Sequence, residues 1–422
     1  MSKPYITILG KAVRAAARLR GGGSALPGLF VERIDPDFIK NTLASLPRGV
    51  VVISGTNGKT TTTKMVVELL ESQGLRVFTN RSGSNFTRGV AAALLGEIDM
   101  KGNLNADIAV LELDEAHAVH FVRTIVPRYS LILNVMRDQL DRFGEIDATA
   151  NMLRAIAVST SETVVLNRED QRIASLKNSL TTQQVNYFGL SDDLLATFPS
   201  DDNLRGGAKP SHNITADVVL TKFSHKTATF SIGGKEFTTP LKLTGIYNVY
   251  NAAAALALVR AIVGETMNQK TLIAALAKVT PAFGRGETLI VDGQPLELVL
   301  VKNPSGFRLG LQSFNPADYA TMIAINDNYA DGRDMSWLWD VEFDSLRAAG
   351  VAKVSGIRAY DMALRLQYDE VPIAHVEKDL KKALRRFIGE NKGQPKRIYC
   401  TYTAMLALRR ELGKITKVEP IG

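Results

Sequence analysis

Cysteine is nearly missing from this chain, with one residue, Cys400, among 422. A lone thiol excludes an internal disulfide and any cysteine-built zinc cluster, and it suits a reducing compartment. Cys400 sits in the strand-like run RIYCTY (residues 397–402), the setting of a packed core thiol rather than a nucleophile. Tryptophan is almost as scarce, and both residues, Trp337 and Trp339, fall in one short segment. Long apolar runs are lacking too. No stretch approaches the roughly eighteen uninterrupted apolar residues of a membrane span, and the opening KPYITILGKAVRAAARLR (3–20) has too short an apolar segment for a secretion signal. A strong excess of either charge is absent: 51 Lys and Arg against 43 Asp and Glu leave +8, spread along the chain. That bias favours phosphates, acidic partners or an anionic membrane surface without implying nucleic acid. Arg14, Arg18 and Arg20 share one face of the opening segment, which predicts a solvated surface helix rather than a membrane-lying one.

What is present is an alternation of apolar, β-branched runs with helical periods. Strands are expected at 49–54, 107–113, 129–135 and 162–167, with helices from Lys59 and near 147–157, the mark of a parallel sheet with crossover helices. Between about 186 and 240 short alternating runs around turns predict a small antiparallel insert. A long Ala-rich helix, NVYNAAAALALVRAIVG (248–264), follows, and TPAFGRGETLIVDG (280–293) has the glycines and proline of a hinge. LELVLVK, YATMIAIND, KVSGI and RIYCTY then predict a second α/β domain. The expected division is 1–286 and 287–422.

The segment carrying the most chemistry is VVISGTNGKTTTT (51–63), an apolar strand breaking into a glycine-flanked turn that opens a helix. Gly55 and Gly58 let the backbone curl so that N–H groups point inward, and the helix offers its positive end to anionic oxygens. Lys59 can reach terminal phosphates and Thr60 can give an oxygen to magnesium, so Gly55, Thr56, Asn57, Gly58, Lys59, Thr60 and Thr61 form the candidate nucleotide loop. The spacing is shorter than the general GxxxxGK[ST] rule, and the strand before it and the helix after it carry the assignment. Glu112 ends an apolar strand where α/β ligand sites lie, which makes it the partner of Thr60 as a metal ligand.

GTNGKTTTT, LELDEAH (111–117), LNVMRDQLDRFGEID (133–147), LTGIYNVYNAAAAL (243–256) and FGRGE (283–287) together resemble the Mur ligase superfamily. NRSGSNFTRG (80–89), KNPSGF (302–307) and INDNYADGRDMSWLWDVEF (325–343) narrow the resemblance to the ligase subunits of lipid II isoglutaminyl synthases. Two departures stand out: Gln139 occupies a place where many relatives have His, and 186–240 lacks the zinc-ribbon cysteines of many relatives, so no zinc is expected. The resemblance implies an α/β fold with a Mur ligase-like ATPase domain, its parallel sheet carrying the small insert, and a Rossmann-like C-terminal domain.

The resemblance also implies an ATP- and Mg2+-dependent ligase that phosphorylates the α-carboxyl of D-glutamate in lipid II and lets ammonia replace the phosphate. Lys59 and Glu112 would act at the reacting centre, Asn251 would meet the adenine, and Arg285 would reach the phosphates on closure. Asn85, Arg88 and His117 are the candidate substrate contacts, with Asp114 and Glu115 beside them. Ammonia would come from a glutaminase partner of the class I glutamine amidotransferase type, forming a heterodimer, and Asp340, with Asp334 as runner-up, would orient that partner's histidine. The alternatives are a folylpolyglutamate synthase-like or amino-acid-adding ligase, and an ATP-binding scaffold. The expected location is cytoplasmic, peripheral at the inner face of the membrane, with a lipid-borne substrate suited to the short stretch before the first strand.

Overall fold

The computed structural model describes residues 4–19, 26–80, 87–136, 146–198, 213–224, 227–242, 246–280, 285–313 and 315–418. Three helices, α1 (Pro4–Leu19), α2 (Leu26–Ile34) and α3 (Phe38–Leu43), precede the first strand, β1 (Val50–Ser54). Next come α4 (Lys59–Ser72), β2 (Val77–Thr79), α5 (Thr87–Glu97), β3 (Ile108–Glu112), α6 (Glu115–Thr124), β4 (Tyr129–Ile132), α7 (Ile146–Val158) and β5 (Thr163–Asn167). Four further strands, β6 (Gln184–Leu190), β7 (Val218–Phe223), β8 (Thr227–Ile232) and β9 (Lys235–Pro240), complete the first sheet, in the order β2-β3-β1-β4-β5-β6-β7-β8-β9.

Every residue of β1, β3, β4 and β5 is buried. Strands covered on both faces need side chains that tolerate burial throughout, which is why they appear in the sequence as unbroken apolar runs. Pairing is parallel from β2 to β7 and antiparallel across β7, β8 and β9. The stretch expected as an antiparallel insert therefore continues the main sheet: β6 and β7 extend its parallel part, and only β8 is reversed, pairing antiparallel with both β7 and β9.

One face of this sheet packs against α4 and the Ala-rich α8 (Ile246–Val263), with α9 (Gln269–Leu276) beside them; the other lies under α2, α3, α5, α6 and α7. The alanines at 252–255 and 257 let α8 approach α4 closely. The stretch Tyr247–Thr266 is long and apolar enough to cross a membrane, but 67% of its most apolar 18 residues is buried within the protein.

A second sheet starts at β10 (Arg285–Val291) and β11 (Gln294–Leu300). It continues through α10 (Pro304–Gln312), β12 (Ala320–Ala324), β13 (Lys353–Ser355), α11 (Ala359–Tyr368), β14 (Val376–Glu377), α12 (Leu380–Glu390), β15 (Lys396–Cys400) and α13 (Tyr402–Leu412). Its order is β10-β11-β15-β12-β13-β14, parallel apart from the β10–β11 hairpin. α10, α11 and the tryptophan segment cover one face, α12 and α13 the other. Cys400 is fully buried in β15, and burial pushes its thiol pKa well up, the state of an inert core thiol.

Candidate active site

The turn from β1 into α4 holds its shape through two positions that only glycine fills cheaply. Gly55 has φ 136° and Gly58 φ 89°. A Cβ on Gly55 would sit 3.0 Å from the backbone N and O of Asn134, and one on Gly58 would sit 2.7 Å from Oδ1 of Asn251. Asn134, just past β4, stitches the turn from below. Its backbone O accepts from Thr56 N (3.0 Å), its Oδ1 from Asn57 N (2.9 Å), and its Nδ2 donates to Asn57 O (3.0 Å). Thr56 Oγ1 accepts from Met136 N at 3.1 Å.

Lys59, at the first turn of α4, is buried and folds back across the loop, donating to Gly55 O (2.6 Å) and lying 3.4 Å from Glu115 Oε2. Thr60 Oγ1 donates to Glu112 Oε1 at 2.7 Å. Glu112 itself is fixed at the end of β3 by a two-way backbone bond: its N–H donates to Asn80 Oδ1 (3.0 Å), and Asn80 Nδ2 donates to its carbonyl (2.8 Å). Thr61 is buried one residue further along α4, and Asn251 on α8 faces Gly58.

The second sheet reaches this loop. Lys302 Nζ donates to Thr56 O (3.1 Å), and the amides of Asn57 and Asn303 exchange contacts at 3.1 and 3.4 Å. Asn303 is fully buried and also caps α10 by accepting from Gly306 N at 2.8 Å. Residues of both sheets thus converge on one short turn.

Other expected site residues lie around this centre. Glu115 opens α6 and is buried, Asp114 precedes it, and His117 is half-buried on the same helix. Arg88 opens α5 with an exposed side chain 3.5 Å from Glu32 of α2; burial raises the Glu32 pKa and Arg88 works against that rise. Arg285 starts β10, but its side chain lies outside the described residues, as do Asn85 and Gln139. Asp340 ends the 3-10 turn Ser336–Asp340 and is half-buried, its carbonyl taking a hydrogen bond from Arg308. Asp334 instead receives Ser336 N at 2.9 Å, the bond of a turn-capping carboxylate. The two tryptophans part company: Trp337 is 5% exposed and packs on Phe307, whereas Trp339 is 48% exposed with its ring 5.1 Å from that of Tyr368. The segment that ends at Asp340 thus carries one buried anchor and one exposed ring.

Asn134, Asn80, Lys302 and Asn303 are the positions sequence reading did not single out by role. All four lay inside quoted motifs, Lys302 and Asn303 in KNPSGF, Asn80 in NRSGSNFTRG and Asn134 in LNVMRDQLDRFGEID, so a signal existed; the roles of Asn134 and Asn80 run through backbone contacts that no spacing rule exposes.

Chemically, the N–H groups of Thr56 and Asn57 are taken up by Asn134, and the first turn of α4 offers its N-terminus and a buried ammonium, a combination suited to phosphate. Thr60 and Glu112 add two hard oxygen donors, the number with which Mg2+ is commonly held while phosphates and water complete its shell. Among the described residues no group of three or more metal-ligating side chains occurs.

These features define the Mur ligase class of fold. Residues 53–259 match the Mur ligase middle domain and residues 300–405 the MurT ligase C-terminal family. MurF from Acinetobacter baumannii superposes with TM-score 0.68 at 18% identity, over 90% of this chain and 80% of that one. Folylpolyglutamate synthase of Mycobacterium tuberculosis, solved with ADP and AMPPCP, gives TM-score 0.61 at 16% identity, over 89% and 93%. Closer in sequence is subunit MurT of the glutamine-hydrolyzing lipid II isoglutaminyl synthase of Streptococcus pneumoniae, 32% identical over 93% of each chain. Its counterpart in Staphylococcus aureus is 28% identical over 89% of this chain and 90% of that one. The chain belongs to the MurT family of Mur ligases.

Proposed function

We propose that this chain is the ATP-dependent ligase subunit that amidates the α-carboxyl of D-glutamate in lipid II, giving D-isoglutamine during peptidoglycan synthesis. Chain-long identity to the lipid II isoglutaminyl synthase subunit MurT is the observation that carries this reading. In the reaction, a carboxylate oxygen takes the γ-phosphoryl group of ATP, releasing ADP. Ammonia then adds to the acyl carbon, and phosphate leaves with the carbon–oxygen electron pair, so the amide replaces the acid. Each protein group has a part in this sequence. The N–H groups of Lys59, Thr60 and Thr61 in the first turn of α4, which a helix leaves without intrahelical partners, hold the phosphates, Lys59 follows the charge moving onto the transferred group, and Thr60 and Glu112 would hold Mg2+. That ion would neutralise phosphate charge as the group transfers. Lys302 and Asn303 close the second sheet onto the loop and keep water from the reactive acyl phosphate.

Ammonia is mostly protonated at neutral pH, and a buried, raised-pKa Cys400 cannot release it from glutamine. A glutaminase partner is therefore part of the proposal. The face beside Asp340 suits its docking: Tyr360, Leu364 and Tyr368 recur every fourth residue along α11 and stand 66%, 49% and 70% exposed next to Trp339. On this reading Asp340, rather than the turn-capping Asp334, orients the partner's histidine.

The test is to purify the chain with a candidate glutaminase and incubate both with ATP, glutamine and lipid II. A loss of about one mass unit per stem peptide is expected, absent in the Lys59→Ala protein. Turnover supported by a free amino acid and not by glutamine or ammonium would overturn the amidation reading in favour of amino-acid addition. Trp339→Ala with Tyr368→Ala should release the glutaminase while ADP binding stays unchanged.

A further inference from the structure

The geometry points to α1 as an in-plane membrane contact that seats the enzyme on an anionic bilayer. The inference rests on the reading that the substrate is lipid-borne. It deepens that reading by naming the surface that meets the lipid.

The orientation of α1 is the reverse of a solvated helix. Its inward side is made by Thr7, fully buried, and Gly10, where an added Cβ would sit 2.7 Å from Leu95 and 2.8 Å from Val31. The cations on the described part turn toward the protein: Lys11 Nζ donates to Ile98 O at 2.6 Å, and the Arg14 guanidinium lies against Gly96 of α5. What faces outward is apolar. Ile8 is 52% and Leu9 44% exposed, and Ala12 and Ala15, at helical spacing from Ile8, are exposed as well. The outward side of α1 is thus an apolar ridge with Lys11 and Arg14 turned to its flank, while the side chains of Arg18 and Arg20 lie outside the described residues.

Charge selects the occupant. The first 31 residues contain Lys3, Lys11, Arg14, Arg18 and Arg20 and no Asp or Glu, the first acid being Glu32. An apolar ridge in a stretch that holds five cations and no acid matches the boundary of an anionic leaflet, where side chains such as Ile and Leu enter the acyl edge. Position agrees with this use. α1 packs on the carboxyl-terminal end of α5, and α5 begins with Thr87 and Arg88 on the edge of the sheet where Glu112 and the nucleotide loop lie. An eleven-residue helix is about 16 Å long, so a bilayer touching Ile8 and Leu9 lies within reach of a lipid-tethered substrate at the site.

Sedimentation of the full chain with vesicles tests the inference. Wild type should pellet with vesicles of phosphatidylcholine containing about one-third phosphatidylglycerol, and far less with phosphatidylcholine alone or in high salt. The paired change Ile8→Glu and Leu9→Glu, and separately Ala12→Glu, should each lower the bound fraction at least about fivefold. ADP binding and the melting temperature must stay unchanged in both proteins; Ala12→Glu exchanges one good helix former for another at an exposed position, so with those controls a loss of vesicle binding is not unfolding. Wild type left in the supernatant, or acidic variants that pellet as well as wild type, would overturn the inference. So would light scattering that shows a wild-type dimer dissociated by the same variants, since the ridge would then belong to a second copy. Amidation of detergent-solubilised lipid II separates this result from the functional reading: its absence in wild type would defeat that reading and leave the vesicle result standing by itself.

Discussion

Asn134 carries an unusual share of the nucleotide turn for a residue outside it. With one side chain it satisfies the N–H and the C=O of Asn57, groups a tight turn leaves without helical or sheet partners. Asn134→Ala should cost about 1–3 kcal/mol of stability and raise the KM for ATP by roughly tenfold with a smaller change in kcat, measured by ATP hydrolysis and thermal melting. Gly58 supplies a second test at this scale. Gly58→Ala meets both a left-handed φ of 89° and the Asn251 amide. Adding Asn251→Ala removes the steric clash but not the backbone penalty, about 1 kcal/mol or more, so the double variant should recover only part of the lost melting temperature. Full recovery would mean that the turn relaxes its φ. Glu112→Gln should leave the fold intact, because Asn80 holds the residue by its backbone, while lowering amidation by about a hundredfold and raising the Mg2+ concentration needed.

Among the elements, the segment that presents Asp340 depends on Arg365 of α11. Its guanidinium donates to Asp369 Oδ1 (2.6 Å) and to Val341 O (2.7 Å) and lies 5.5 Å from the ring centres of both Trp339 and Phe343. Asp369 Oδ2 also accepts from Phe343 N at 2.7 Å. Burial pushes the Asp369 pKa up, but the Arg365 hydrogen bond and the Phe343 amide outweigh it and hold the carboxyl below its ordinary value. A depressed folded-state pKa gives stability that is complete above the unfolded value, about 3.9, and is lost as pH falls through the folded one. Asp369→Asn should therefore cost about 2–4 kcal/mol at neutral pH, with the gap to wild type narrowing in acid, and should loosen glutaminase binding with it. Element identity was largely legible in the sequence because β1, β3, β4 and β5 are buried on both sides and leave continuous apolar runs. β2 escaped notice at three residues. Alternation predicts an insert where β6 and β7 extend the sheet, because it reports a strand's exposed face, not the neighbour it pairs with. The outward ridge of α1 was hidden for a related reason: periodicity shows that a helix has two faces but not which one meets the protein.

Across the whole molecule, the two sheets meet through Asn57, Thr56, Lys302 and Asn303. The motif KNPSGF marked this place in the sequence, but its partner could not be read there, since contact between residues 246 positions apart is a product of the folded topology. Lys302→Ala should leave each sheet folded yet weaken their coupling, so that ATP raises the melting temperature of the first domain more than that of the second; a single, equally shifted transition would argue against it. The same amide pair also constrains how this enzyme can be altered. Because Asn57 and Asn303 each complete the other, the damage from changing one should largely mask the damage from changing both, and a double-mutant cycle should report strong epistasis. Laboratory selection for altered nucleotide use would then have to replace the two positions jointly, a route that libraries of single substitutions cannot find.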